Sequence, residues 1–346
     1  MAFVKPKYQK AEVNRAGKFL ASVEPDTDDW LWAYEVLANW RACHGYPINT
    51  FQALLRKRLK SIDSKAIVAQ RLKRAPSVIA KLRRFPSMKL AQMQDIGGLR
   101  AVVSSISRVR KLETEYRDSN LKHELISSKD YIDQPKSDGY RSIHLVYRYK
   151  NIHAPEYDGL LLELQLRTKL QHAWATAVET MSTFLGQALK SGQGEREWRE
   201  FFEIASAAFA FVEGTPPVPE YESISKEKIF SMLAESEARL HVLSKLQGFS
   251  IAANHITAEK GAGSYHLVVL YTESRSVTIQ PYPKTQLEQA NIEYAKIEER
   301  AQRGEQVEAV LVSAGPVEAL RKAYPNYFLD THQFVTQVGR IIAPSQ

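Results

Sequence analysis

The chain has a single cysteine, Cys43, in 346 residues. One thiol excludes an internal disulfide and a cysteine metal cluster, and it suits a reducing compartment. Long apolar runs are equally scarce. The stretch IASAAFAFV is far too short to span a bilayer, which needs about 20 apolar residues. The opening residues MAFVKPKYQKAEVNRAGKFL lack both the apolar stretch and the cleavage site of a signal peptide. A cytoplasmic protein with no membrane partner is therefore expected. Acidic residues are the third scarcity, and a local one: between Arg56 and Lys111 only Asp63 and Asp95 interrupt a succession of lysines and arginines. A solvated face usually mixes signs, so this one-sided block favours a polyanionic partner: nucleotide phosphates, RNA, DNA or an anionic membrane. The membrane is the weakest of these, because no amphipathic helix with large exposed apolar residues accompanies the charge.

What is present is ordinary in bulk. Apolar residues make up 44% of the chain and the formal net charge is +8. At roughly 150 residues per domain the length predicts two domains. Residues 27–61 read as helical, with Trp30, Tyr34, Leu37 and Trp40 at spacings of three and four. IVAQRLKRAPSVIAKLRRF reads as a basic helix or helix pair, with Ala75-Pro76 marking a break or a new first turn. GGLRAVVSS, RSIHLVYRY and GLLLELQLRT read as strands, and TKLQHAWATAVETMSTFLGQALK as a long helix after the last of them. EGTPPVPEYES, with its prolines and lack of periodicity, reads as a linker. A helix from Ser225 towards Gly248 follows. After KGAGS a small unit of order β-β-α-β-α is expected.

Three polar constellations stand out. In RLKRAPSVIAKLRR, a helical reading brings Arg71, Lys73, Ser77 and Lys81 to one helix start, where cations, the dipole and free N–H groups suit a triphosphate; a solvated basic helix is the plainer reading. In LLLELQLRT, strand alternation sets Glu163, Gln165 and Arg167 on one face against Leu162, Leu164 and Leu166 on the other. Glu163 and Asp95, from MQDIGGLRAVV, are a carboxylate pair able to share Mg²⁺ and activate a hydroxyl, although a structural Glu163–Arg167 pair is equally open. In KDYIDQPKSDGYRSIH, Tyr140 follows the turn dipeptide Asp138-Gly139 among Lys129, Tyr131 and Lys136, with His144 beyond. A ring held on a cationic loop is a stacking platform for a base, worth about 1–3 kcal/mol and tolerant of base identity. A buried structural His144 remains as open as a phosphate contact.

Together these segments resemble the synthetase domain of RelA/SpoT-type enzymes, which move a pyrophosphate from ATP to a ribose 3′-hydroxyl. RLKRAPSVIAK is similar to that family's ATP-binding motif, DIGGLR to its Mg²⁺-aspartate segment, KDYIDQPKSDGYRSIH to its acceptor loop and ELQLRT to its catalytic-glutamate strand. All four stand in the family's order within residues 65–175. The resemblance implies an α/β fold: a mixed β-sheet, nucleotidyltransferase-like synthetase domain flanked by helices over residues 1–213. A linker and connecting helix over 214–259 and a small C-terminal α/β regulatory domain over 260–346 would follow. It further implies that Arg71, Lys73, Ser77, Lys81 and Arg100 hold ATP, and that Asp95 and Glu163 hold Mg²⁺, with Glu163 as base. Tyr140 would stack on the acceptor, with Lys129, Tyr131, Lys136, His144, Gln165 and Arg167 around it. No His-Asp dipeptide occurs and only His44 precedes His123, so the hydrolase of the family's long members is not expected.

Within the family the chain resembles the small alarmone synthetases, and most of all the toxic fused toxin–antitoxin members called CapRel. That likeness implies pyrophosphorylation of the tRNA 3′-CCA end, with a C-terminal domain restraining the enzyme through a Tyr-x-x-Tyr motif until a phage protein releases it. AYPNYFLD supplies Tyr324 and Tyr327 at that spacing. The alternative is synthesis of (p)ppGpp from ATP and GDP or GTP.

Overall fold

The computed structural model describes residues 3–22, 24, 27–73, 75–118, 121–188, 195–248, 265–271, 276–303, 305, 307–313 and 331–343. The chain divides into two compact units. The first comprises Met1–Ile132 and Arg141–Lys169, the second Asp133–Tyr140 and Leu170–Gln346. The division falls at Lys169–Leu170, and a short loop inserted between two strands of the first unit belongs to the second.

The first unit opens with three helices, α1 (Lys10–Ser22), α2 (Asp28–Cys43) and α3 (Gly45–Ile62). Thr27 caps α2 by accepting from the Trp30 amide, and Asp28 and Asp29 complement the helix dipole. A five-stranded sheet follows in the order β1-β2-β5-β4-β3. Its strands are β1 (Ile67–Leu72), β2 (Gly97–Val103), β3 (Glu124–Asp130), β4 (Ile143–Arg148) and β5 (Leu161–Thr168). Only β2 and β5 run parallel; the other pairs are antiparallel. The alternation in β5 does what it predicts: Leu162, Leu164 and Leu166 are buried and pack into one core with Leu99, Leu145 and the helix residues Leu37, Phe51 and Leu55.

Two local expectations are corrected here. Residues 67–72 form an edge strand rather than a helix, because Ile67 and Val68 suit a pleated surface and β2 offers an unpaired edge; helix α4 (Ala75–Arg84) begins only at the Ala75-Pro76 break. Lys129 lies on β3, opposite His144, rather than on a loop.

In the second unit, α6 (Lys169–Ala188), α7 (Glu195–Glu213), α8 (Lys226–Leu240) and the C-terminal helix His332–Ile342 surround one apolar core. The proline-rich segment is packed rather than slack: Val218 and Tyr221 are buried in that core. The expected long helix ends at His241, which takes φ 51° while the Glu237 carboxylate accepts from the Val242 and Leu243 amides. A three-stranded antiparallel sheet, β7-β6-β8, made of β6 (Tyr265–Tyr271), β7 (Ser276–Tyr282) and β8 (Val307–Ser313), packs with the helix Leu287–Gln302 through Leu267, Val269, Tyr282 and Ala290. The order β-β-α-β agrees with the sequence reading. Tyr324 and Tyr327 lie outside the described residues.

Candidate active site

Three strands converge to build a polar face in the first unit. Along β5, Glu163, Gln165 and Arg167 point to the side opposite the leucines. Pairing sets Gly98 of β2 beside Glu163, and both Arg100 of β2 and His144 of β4 beside Gln165. Gln165 is the node: its Oε1 accepts from Arg167 Nη2 at 3.1 Å and Arg100 Nε at 3.4 Å, and its Nε2 donates to Glu163 Oε2 at 2.8 Å. Two guanidinium donors on one oxygen fix which way the amide faces. The other Glu163 oxygen meets His144 Nδ1 at 2.7 Å. An ionised carboxylate only accepts, so Nδ1 carries the hydrogen of this bond. His144 is held edge-on by Tyr131, 5.3 Å between ring centroids.

Glu163 is thus a largely buried acid kept ionised. Burial pushes its carboxyl up, but the His144 contact and then the Gln165 hydrogen bond outweigh it and hold the group below the usual carboxylate value. The negative charge of Asp95 acts in the opposite direction, so the two carboxylates are within electrostatic reach of each other.

Asp95 sits immediately before β2. Lys73 Nζ meets its Oδ2 and Lys81 Nζ its Oδ1, both at 2.9 Å. Lys73 follows β1 and its amide bonds the Ile96 carbonyl at 2.8 Å, tying the turn to the start of β2. Lys81 lies in the last turn of α4, one turn after Ser77 and on the same helix face. Burial raises the Asp95 carboxyl, yet the two ammonium groups together hold it below its usual value. The Arg71 backbone pairs with Gly98 in β1.

The expected site residues therefore separate into groups. Asp95, Lys73 and Lys81 form one knot; Glu163, Gln165, Arg167, Arg100 and His144 form another beside it. Arg167 is buried in the sheet. Lys136 and Tyr140 belong to the inserted loop of the second unit, where the Lys136 ammonium lies 4.9 Å from the Tyr140 ring centroid. His144, expected among the acceptor contacts, is also a hydrogen-bond partner of Glu163. The close approach that Gly-Gly at a strand start signals falls on Gly97, where a Cβ would lie 3.0 Å from Leu162 Cδ2.

The pair Asp95 and Glu163 offers hard oxygen donors of the kind Mg²⁺ takes when substrate phosphates and water complete its octahedron. No cluster of three or more His, Cys, Asp or Glu side chains arranged for a metal occurs among the described residues. The donor set fits an ion held jointly with a phosphate substrate, not one held by protein alone.

Residues 70–184 match the family described as the region found in RelA / SpoT proteins. The chain is 32% identical over 120 residues to GTP pyrophosphokinase YjbM of Bacillus subtilis, an alignment covering 33% of this chain and 55% of that protein. It is 36% identical over 94 residues to the probable chloroplastic GTP diphosphokinase RSH3 of Oryza sativa subsp. japonica, covering 26% of this chain and 11% of the other. The small alarmone synthetase 1 of Bacillus subtilis, solved with its product pppGpp, superposes with a TM-score of 0.43 at 23% identity, over 52% of this chain and 94% of that one. The chain spans about half the length of the first of these curated relatives. No helix among the described residues is long and apolar enough to cross a membrane.

Proposed function

We propose that the chain is an ATP-dependent pyrophosphokinase of the RelA/SpoT type, transferring the β,γ-pyrophosphoryl group of ATP to a ribose 3′-hydroxyl. The observation that carries this reading is the ionised, oriented Glu163 beside the Lys73–Asp95–Lys81 knot, inside the segment that matches the family. A general base must be unprotonated and within reach of the hydroxyl it activates. Glu163 meets the first condition through His144 and Gln165, which also fix the direction of its free lone pairs. Lys73, Lys81, Ser77, Arg71 and Arg100 are the groups for the triphosphate, the two lysines sharing their charge between Asp95 and phosphate oxygens. Asp95 and Glu163 would hold Mg²⁺, which supplies charge neutralisation of the transferring phosphates. Tyr140 is assigned to the acceptor base and Lys129 and Lys136 to its phosphates.

The acceptor is a guanine nucleotide on the reading that the relatives' names favour, since they are called GTP pyrophosphokinases. A second reading takes the tRNA 3′-CCA end as acceptor, with the C-terminal region as an antitoxin released by a phage protein. It is favoured by the cations Arg56, Lys57 and Lys60 exposed on α3, a helix whose 18 residues include no acid.

The test uses the whole chain with ATP labelled on its terminal phosphates and offered GDP, GTP and deacylated tRNA in turn. Label on GDP or GTP supports alarmone synthesis; label on tRNA supports the second reading, and Tyr324→Ala/Tyr327→Ala in the full chain should then raise the rate. No transfer to any acceptor by folded protein refutes the proposal. Truncation after the proline segment is the wrong instrument, because α8 and the C-terminal helix share a core with α7.

A further inference from the structure

The turn that presents Tyr140 is seated on the helices of the second unit. Gly139 takes φ 89°, and its backbone lies so close to α6 and α7 that a Cβ there would stand 2.9 Å from Ser206 Cβ, 2.9 Å from Trp174 Cζ2 and 3.4 Å from the Phe202 carbonyl. Positive φ and close approach together demand glycine. The Ser206 hydroxyl, 1% exposed, donates to the Gly139 carbonyl at 2.6 Å. A buried helical serine commonly turns back to its own helix; this one, in the alanine-rich run IASAAFAF, reaches a loop 67 positions away. Trp174 donates from its indole to the Phe202 carbonyl at 2.8 Å, which fixes the ring that Gly139 rests against. The turn is also closed on itself: the Gly139 amide bonds the Lys136 carbonyl at 2.9 Å, and the Tyr140 amide bonds Asp138 Oδ1 at 3.0 Å.

We infer that Ser206, with Trp174 and Phe202, positions the Tyr140 loop for the acceptor, so that acceptor binding depends on this seat and ATP binding does not. The inference rests on the assignment of Tyr140 to the acceptor. The underside of the seat is the C-terminal helix: the Phe202 ring lies 5.7 Å from that of Phe334, which also meets Phe209 at 5.5 Å. Phe202 therefore lies against both the Gly139 turn and the C-terminal helix.

The experiment compares full-length wild type, Ser206→Ala and Tyr140→Ala by steady-state kinetics with whichever of GDP, GTP or deacylated tRNA the wild type uses, and by amide hydrogen exchange. Losing one buried hydrogen bond should raise the acceptor KM of Ser206→Ala roughly fivefold, with the ATP KM nearly unchanged and the melting temperature lowered by only about 2–4 °C. Exchange in the 133–140 peptide should accelerate by a similar factor while β5 is unaffected. An equal rise in both KM values, or unchanged exchange in 133–140, overturns the inference. The exchange readout decides the positioning role irrespective of turnover. If Tyr140→Ala leaves the acceptor KM unaltered, the acceptor assignment itself fails; if only Ser206→Ala is silent, the seat alone fails.

Discussion

His44 offers the sharpest quantitative prediction, because it is a buried base with one neutral hydrogen bond and no compensating acid. It joins α2 to α3, is 1% exposed, and donates from Nδ1 to the Trp40 carbonyl at 2.8 Å. Its flank faces Gly97 at the start of β2, where an added Cβ would lie 3.0 Å from His44 Cβ. Burial pushes its pKa from the ordinary 6.5 down to about 4, and the backbone hydrogen bond offsets only part of that. The unfolded chain therefore binds a proton that the native state refuses anywhere between those values. Stability is full above pH 6.5 and falls as pH drops towards 4. The whole gap is worth about 3 kcal/mol, and about 2 kcal/mol is already lost at pH 5. For a unit of this size that corresponds to about 4–8 °C in melting temperature. The assay is thermal unfolding of wild type and His44→Gln at pH 7.5, 6 and 5. His123, which is also depressed by burial, titrates in both proteins and cancels in the difference. Asp95 and Glu163, both held low, contribute only below this window. The variant should start less stable but lose less on acidification, so the two curves approach one another. Parallel loss in both proteins would show that His44 is not a buried neutral group and would refute the argument.

The remaining expectations are more direct. Glu163→Gln should lower transfer by about 10²–10⁴-fold; its single amide oxygen can still accept from His144, while its NH2 faces the Gln165 Nε2 donor and costs about 1–3 kcal/mol of stability; retained activity would remove the base assignment. Because the Glu163 carboxyl lies below its ordinary 4.5, a depressed acid keeps its charge until pH falls through that lowered value, so the acid limb attributable to it should lie below pH 4.5; a limb near neutrality in kcat against pH would contradict this. Asp63→Ala should cost about 3 kcal/mol in denaturant unfolding, because its buried carboxylate accepts from the Ser104 amide at 2.8 Å and the Lys65 amide at 3.2 Å and pairs with Arg108. A loss under about 1 kcal/mol, the size of a surface pair, would deny that role. Phe334→Ala should cost about 3–5 kcal/mol, the ring being fully buried among Phe201, Phe202 and Phe209; a near-neutral result would deny the shared core.

The parts legible in the sequence are those governed by neighbours along the chain. Alternation in β5 and the apolar runs of β2 and β4 foretold the central strands and the polar face bearing Glu163, Gln165 and Arg167. The Ala75-Pro76 break marked the start of α4. What could not be read depends on partners distant in sequence. β1, IVAQRL, runs almost directly into the basic helix that follows and is too short to show its own period, and the open edge of β2 makes it a strand. β3, ELISSKD, has too little apolar contrast to show its period, and its identity comes from pairing with β4. His144 looked like one more polar residue after a cationic loop; its bond to Glu163 follows from the register of β4 on β5, which no local pattern encodes. The seat beneath Gly139 is similarly hidden, since Trp174, Phe202 and Ser206 read as unremarkable members of apolar helices.

The parallel pairing of β2 with β5 also governs when the site comes into being. The Lys73–Asp95–Lys81 knot needs only residues close together in sequence, so it can close early. Glu163 joins it only after a crossover through the helix Ile106–Arg117, β3 and β4 brings residues 161–168 back beside 97–103, and such long-range pairing is the slow part of folding. During synthesis, a chain that has not yet released β5 can hold the elements assigned to ATP and still lack its base. On the function proposed above, the residue assigned as base therefore joins the site only once the β2–β5 pairing has formed.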